Sequence, residues 1–175
     1  RLVQFFDLHQ DLALQFGLNS VFGTSPSGPE VGNRTFAYGA DLFLKWRPIG
    51  YGRTGYTFIA WCVEGWFRQM EVSLDLWEDA GGYSDLIFGL SKRWEIALRG
   101  EYWKKISGSD LNDTINRENY GLDVIRGTGA LSFMPSHFSR VRFQYTIEDI
   151  ENFAINHIGL LQLEVSAGAH GAHKY

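Results

Sequence analysis

Hydrophobic and polar residues alternate with a period of two along almost the whole chain. Leu12, Leu14, Phe16 and Leu18 stand against Asp11, Ala13, Gln15 and Gly17, and Tyr38, Ala40, Leu42, Leu44 and Trp46 against Gly39, Asp41, Phe43, Lys45 and Arg47. The same alternation sets Ile59, Trp61, Val63 and Phe67 against Cys62, Glu64 and Arg68, and Leu86 and Phe88 against Asp85. It continues with Trp94, Ile96, Leu98 and Tyr102 against Glu95, Arg99 and Glu101, then with Ile125, Leu131 and Phe133 against Arg126. Val141, Phe143 and Tyr145 oppose Arg140 and Arg142, and Leu161, Leu163 and Val165 oppose Gln162 and Glu164. Two is the side-chain period of a β-strand, so the pattern predicts an all-β, antiparallel protein of eight or nine strands, each about ten residues long. The opening run Leu2–Asp7 reads as one of them, and the last is expected over 159–167.

The polar side of these strands carries Lys, Arg, Asp and Glu rather than the Ser and Thr of an ordinary wet surface. The apolar side must therefore face either a second protein layer or lipid. The links favour lipid. Tight turns are expected near 8–10, 48–54, 91–93 and 135–138, with longer polar links over 23–33, 69–80, 106–119 and 148–156. Short and long links alternate, which sorts them onto opposite ends, as in an outer-membrane β-barrel with short periplasmic turns and long external loops. An inverted strand would place Arg99 or Arg142 in lipid at about 2–4 kcal/mol per Lys or Arg. Several such costs exceed a typical stability of roughly 5–15 kcal/mol. The charged side must line the lumen: Asp41, Lys45, Arg47, Glu64, Arg68, Asp85, Glu95, Arg99, Glu101, Arg126, Arg140, Arg142 and Glu164. Trp46, Phe67, Trp94, Tyr102, Phe133 and Tyr145 are expected at strand ends on the outward side, as a membrane-interface girdle.

Composition narrows the function. In 175 residues, aromatics reach 15% and charged residues 21%, with a formal net charge of −4 that argues against a nucleic-acid partner. The single Cys62 forms no intrachain disulfide and reads as a small packing residue. No apolar run is long enough for a membrane-spanning helix. The absence of an initiator Met and of a signal segment is expected to mark a mature or later portion of a longer chain.

Catalytic and metal readings are weak. His170 and His173 are candidate metal ligands, but on a strand or tail their spacing puts them on opposite sides, and further ligands would be needed. His9, His137 and His157 are isolated. His157 with Asp149 or Asp85 would match a rim hydrolase only as any histidine near carboxylates would. No phosphate loop, nucleophile elbow or haem motif occurs, so the expectation is a protein that is not an enzyme and takes no cofactor. A mixed-charge lining admits two uses, a pore that focuses ions and polar solutes or a salt-bridged filling of a narrow barrel. A soluble sandwich or lipocalin-like binder is the remaining alternative.

Several stretches carry a more specific signal: Gln4-Phe5-Phe6-Asp7-Leu8, the run from Tyr38 to Pro48, Gly81-Gly82-Tyr83, Lys92-Arg93-Trp94-Glu95, the run from Pro135 to Tyr145, and Gly168-Ala169-His170-Gly171-Ala172-His173-Lys174-Tyr175. Together they resemble a porin-like family of Gram-negative outer-membrane proteins often labelled zinc-regulated TonB-dependent outer membrane receptors. The resemblance implies one barrel domain over 1–175, the C-terminal part of a larger ring of about sixteen strands that leaves an aqueous channel. It further implies a bacterial outer-membrane setting, with lipid bilayer and lipopolysaccharide around the barrel. The barrel-assembly machinery would be a partner in biogenesis, reading the terminal aromatic Tyr175 as its signal. The function so implied is passive passage of small hydrophilic solutes or ions. The alternatives are a non-transporting barrel with surface or periplasmic partner proteins held by the links over 69–80 and 106–119, or a TonB-linked uptake receptor.

Overall fold

The computed structural model of the chain describes residues 1–24, 32–48, 57–72, 75–108, 123–136 and 138–166. Nine strands follow one another: β1 (Leu2–His9), β2 (Leu12–Thr24), β3 (Arg34–Trp46), β4 (Phe58–Val72), β5 (Asp75–Gly89), β6 (Trp94–Ser107), β7 (Val124–Ser136), β8 (Ser139–Ile150) and β9 (Asn156–Val165). They pair strictly in chain order into one antiparallel meander, and no helix occurs among the described residues. Among the described residues β1 and β9 have no partner on their outer sides, so the sheet is not closed.

Cross-strand register places the charged positions on a common face. Asp41 stands opposite Glu64, Glu64 opposite Tyr83, and Tyr83 opposite Glu101. Glu101 then stands opposite Arg126, and Arg126 opposite Glu148. Among the described residues no second layer covers either face. Of those residues, thirty-four large apolar side chains are exposed against four buried hydrophobic ones, so burial there does not come from a conventional core. Leu98 is 50% exposed, Phe143 55% and Leu163 71%, although all three belong to the apolar face.

Burial instead follows curvature. Every described strand residue classed as buried lies on the charged face, including Asp41, Ala60, Met70, Trp77, Ser132 and Thr146. Side chains converge on the inside of a curled sheet and splay on its outside, so the charged face is the concave one. A single cavity of about 640 Å³ confirms the curl, because Lys45 of β3 and Arg140 of β8 both line it. Five strand spacings on a flat sheet would separate those strands by roughly 24 Å.

The element boundaries correct two expectations. The stretch 69–80 is not a link: β4 and β5 continue through it, with Gln69 opposite Glu78 and Val72 opposite Asp75. Alternation continues from Gln69 to Leu76 in the sequence, but in β4 the apolar residue has changed sides: Met70, opposite Trp77, is buried on the concave face, while Gln69 and Glu78 stand opposite each other on the convex face. The last strand runs Asn156–Val165, three residues earlier at its start than expected. The tight turn expected over 48–54 lies almost wholly outside the described residues.

The sorting of links therefore holds with two exceptions. At the end where β1 meets β2, hereafter the near end, the links are 10–11, 47–57, 90–93 and 137–138. At the far end they are 25–33, 73–74, 108–123 and 151–155. The exceptions are the long link 47–57 at the near end and the two-residue link at 73–74 between β4 and β5.

Candidate functional site

The concave wall is built from residues two apart in successive strands, which the pleat turns to one side and the register sets side by side. Asp41 accepts from Asn19 Nδ2 at 2.8 Å and from Arg1 Nη2 at 3.2 Å, joining β2, β3 and the residue before β1. In the middle of the wall, Glu64 accepts from Trp66 Nε1 and from the Tyr83 hydroxyl, both at 2.6 Å. The Arg99 guanidinium lies 3.8 Å over the Tyr83 ring and also meets Asp85 at 3.4 Å and Glu101 at 3.2 Å. Arg126 pairs with Glu148, which also accepts from Asn156 Nδ2 at 3.2 Å. Arg68 pairs with Asp79 and sits over the Trp103 ring. Arg140 donates to Glu164 at 2.6 Å.

The wall is thus laced with compensated charge. Arg142 differs: it stands opposite Ser132 and Gln162, with no carboxylate within 4 Å among the described residues. Lys45 also lacks a carboxylate at that distance among those residues, and lies 5.0 Å over the Phe58 ring. Glu95 sits on the same face, opposite Ser132 and Gly89. Arg47 lies just beyond β3 and, like Lys45, lines the near-end cavity.

Aromatic rings on the concave face escape a reading based on charge alone. Trp66, Tyr83 and Trp103 share the parity of Glu64, Asp85 and Glu101, which is the signal that would have placed them. Trp66 lies over Gly39 of β3, where an added Cβ would come within 2.7 Å of the indole, and Trp103 lies likewise over Gly81 of β5. Each glycine opens room for a ring across the strand pair, and the ring shields the backbone there.

On the convex face, Trp46 and Trp94 stand at the near end, and the Trp94 ring lies 4.7 Å from that of Phe133. Phe67 and Tyr102 stand toward the far end. Tyr145 is placed differently from expectation: it lies mid-strand in β8, its hydroxyl 2.8 Å from His157 Nδ1 of β9. Above Phe67, Ala80 and Tyr102 the convex face turns polar, with Gln69, Glu78 and Lys104 at the next outward positions. There the Gln69 amide and the Ser107 hydroxyl donate to Glu78 at 2.7 and 2.9 Å, holding its carboxyl below the ordinary range. The Tyr102 hydroxyl and Lys104 both reach Asp123. From Trp94 to Tyr102 the apolar stretch of β6 is eight steps, about 26 Å along the strand. At a tilt near 40° that gives a belt roughly 20 Å high.

Cys62 is half-buried on the concave face and free. Among the described residues no group of three His, Cys, Asp or Glu is placed to hold a metal ion. His137, His170, His173 and Tyr175 lie outside the described residues. No family model, curated protein or solved structure matches the chain.

Proposed function

We propose that the chain is part of an outer-membrane β-barrel of the porin-like kind, passing small hydrophilic solutes or ions along its charged concave wall without catalysis or cofactor. The observation that carries this reading is the pairing of an uncovered apolar convex face with a concave face rich in charge. A soluble monomer rarely exposes apolar patches beyond a few hundred Å². Lipid removes that conflict, and the same orientation keeps Arg99, Arg126 and Arg142 out of hydrocarbon. The polar border at Gln69, Glu78 and Lys104 and the belt height below it support the same setting.

The open edges of β1 and β9 call for further strands. Bare strands so long and apolar are templates for pairing. Because the meander has nine strands, β1 and β9 run in the same direction, and closing one on the other would require a parallel seam. An all-antiparallel ring therefore needs an odd number of additional strands. Bacterial single-chain barrels have even strand numbers, with sixteen in the range that leaves an aqueous channel.

A non-transporting barrel is the second reading, favoured by the extent of charge pairing: Arg68, Arg99, Arg126 and Arg140 all meet carboxylates. Planar-bilayer recording of the intact, purified barrel decides between them. Stepwise conductance is expected; a folded barrel that inserts and conducts nothing overturns the pore.

A further inference from the structure

The two ends of the sheet carry opposite charge. The four near-end links contain Arg47, Arg53, Lys92 and Arg93 and a single carboxylate, Asp11. The four far-end links contain six carboxylates, at Glu30, Asp110, Asp113, Glu118, Asp123 and Glu151, against one cation, Arg117. The net charge of −4 conceals this separation.

The concave space of about 640 Å³ lies at the basic end. Five cations and two carboxylates line it, an excess of three positive charges, and one of the carboxylates, Glu164, is already engaged by Arg140. Lys45 and Arg47 enter from the β3 side and have no carboxylate within 4 Å among the described residues. Phe58 lies beneath the Lys45 ammonium, and Met134, Pro135 and Phe138 add apolar surface from the end of β7 and its link to β8. A concave site of this size with a cationic side and an apolar side selects a ligand with both characters.

We propose that the near-end cavity is a binding site for small organic acids, in which Lys45 and Arg47 take the carboxylate and the Phe58 and Phe138 walls take the apolar body. Binding needs only the curled sheet, so it is independent of whether the barrel conducts. Under the pore reading it adds a docking station for anions at the mouth bearing the short turns.

The test is fluorine NMR line broadening with 4-fluorobenzoate and its neutral isostere 4-fluorobenzyl alcohol, on the intact barrel in detergent. The benzoate is expected to bind about tenfold tighter than the alcohol, a difference of one charge-assisted contact. Combining Lys45→Gln with Arg47→Gln should erase that preference, whereas Lys104→Gln with Lys105→Gln, an equal loss of two charges toward the far end of β6, should leave it intact. The proposal fails if the alcohol binds as well as the benzoate, if neither binds at millimolar concentration, or if the double variant keeps the preference. Because the comparison of the two probes on the unaltered protein needs no substitution, poor folding of a variant does not blunt it. A site without conductance, or conductance without a site, tells the two proposals apart.

Discussion

Individual charges on the concave wall differ in what their removal should cost. Arg99 serves three partners, the Tyr83 ring, Asp85 and Glu101, whereas Arg140 serves one, Glu164, at a half-exposed position. Arg99→Ala leaves two neighbouring carboxylates uncompensated and should destabilise the protein by about 1–3 kcal/mol. Arg140→Ala breaks an exposed pair and should cost about 0–1 kcal/mol. Urea unfolding in detergent micelles, followed by tryptophan fluorescence, would rank them. At Gly81 the limit is steric. Gly81→Val would drive a side chain into the Trp103 ring, and overpacking of that kind costs about 1–3 kcal/mol. The same substitution should change the Trp103 emission, whereas Gly127→Val, with nothing near its Cβ, should leave emission unchanged. The charged members of this wall are legible in the sequence because alternation exposes them. Trp66 is legible in the same way, by its parity with Glu64 and Arg68, whereas Tyr83 and Trp103 are harder to place because Ser84 and Lys104 break the alternation beside them.

Strands carry the decisive test of the surrounding solvent. Leu98 and Phe143 lie on the convex face of β6 and β8, half-exposed and in contact with no second layer. In hydrocarbon, Leu98→Arg or Phe143→Arg should cost about 2–4 kcal/mol near the middle of the belt. In water the same change at an exposed position falls within about ±0.5 kcal/mol. Unfolding titrations in lipid vesicles would separate the two outcomes, and a near-zero cost in both variants would sink the membrane reading. The β4–β5 ribbon belongs to the same scale. It extends past the polar convex positions Gln69 and Glu78 and is held by Arg68–Asp79 and Gln69–Glu78 pairs together with buried Met70 and Trp77. A peptide tag inserted between residues 73 and 74 should therefore leave the barrel folded and, with the far end outward, be reached by antibody on intact cells. Failure to label while the barrel is folded and in place would reverse the assigned orientation.

At the scale of the whole molecule, nine strands, two bare edges and opposite charge at the two ends form one picture. Under the proposed barrel, the odd strand count requires an odd number of further strands to complete an antiparallel ring, and a structure of the closed assembly with β1 and β9 paired in parallel would contradict it. In that barrel, the charge separation makes the two mouths differ in the ions they attract, a difference that added salt should screen. The linear sequence determined the all-β class, the strand number to within one, and which side of each strand is charged, because pleating is local and each residue's face follows from its neighbours two places away. Only the tertiary structure decided that β4 and β5 run on through 69–80, that the sheet stays open, and that Lys45 and Arg140 meet across one cavity. Those outcomes depend on hydrogen-bond register and curl summed over many strands, which no single stretch of alternation encodes.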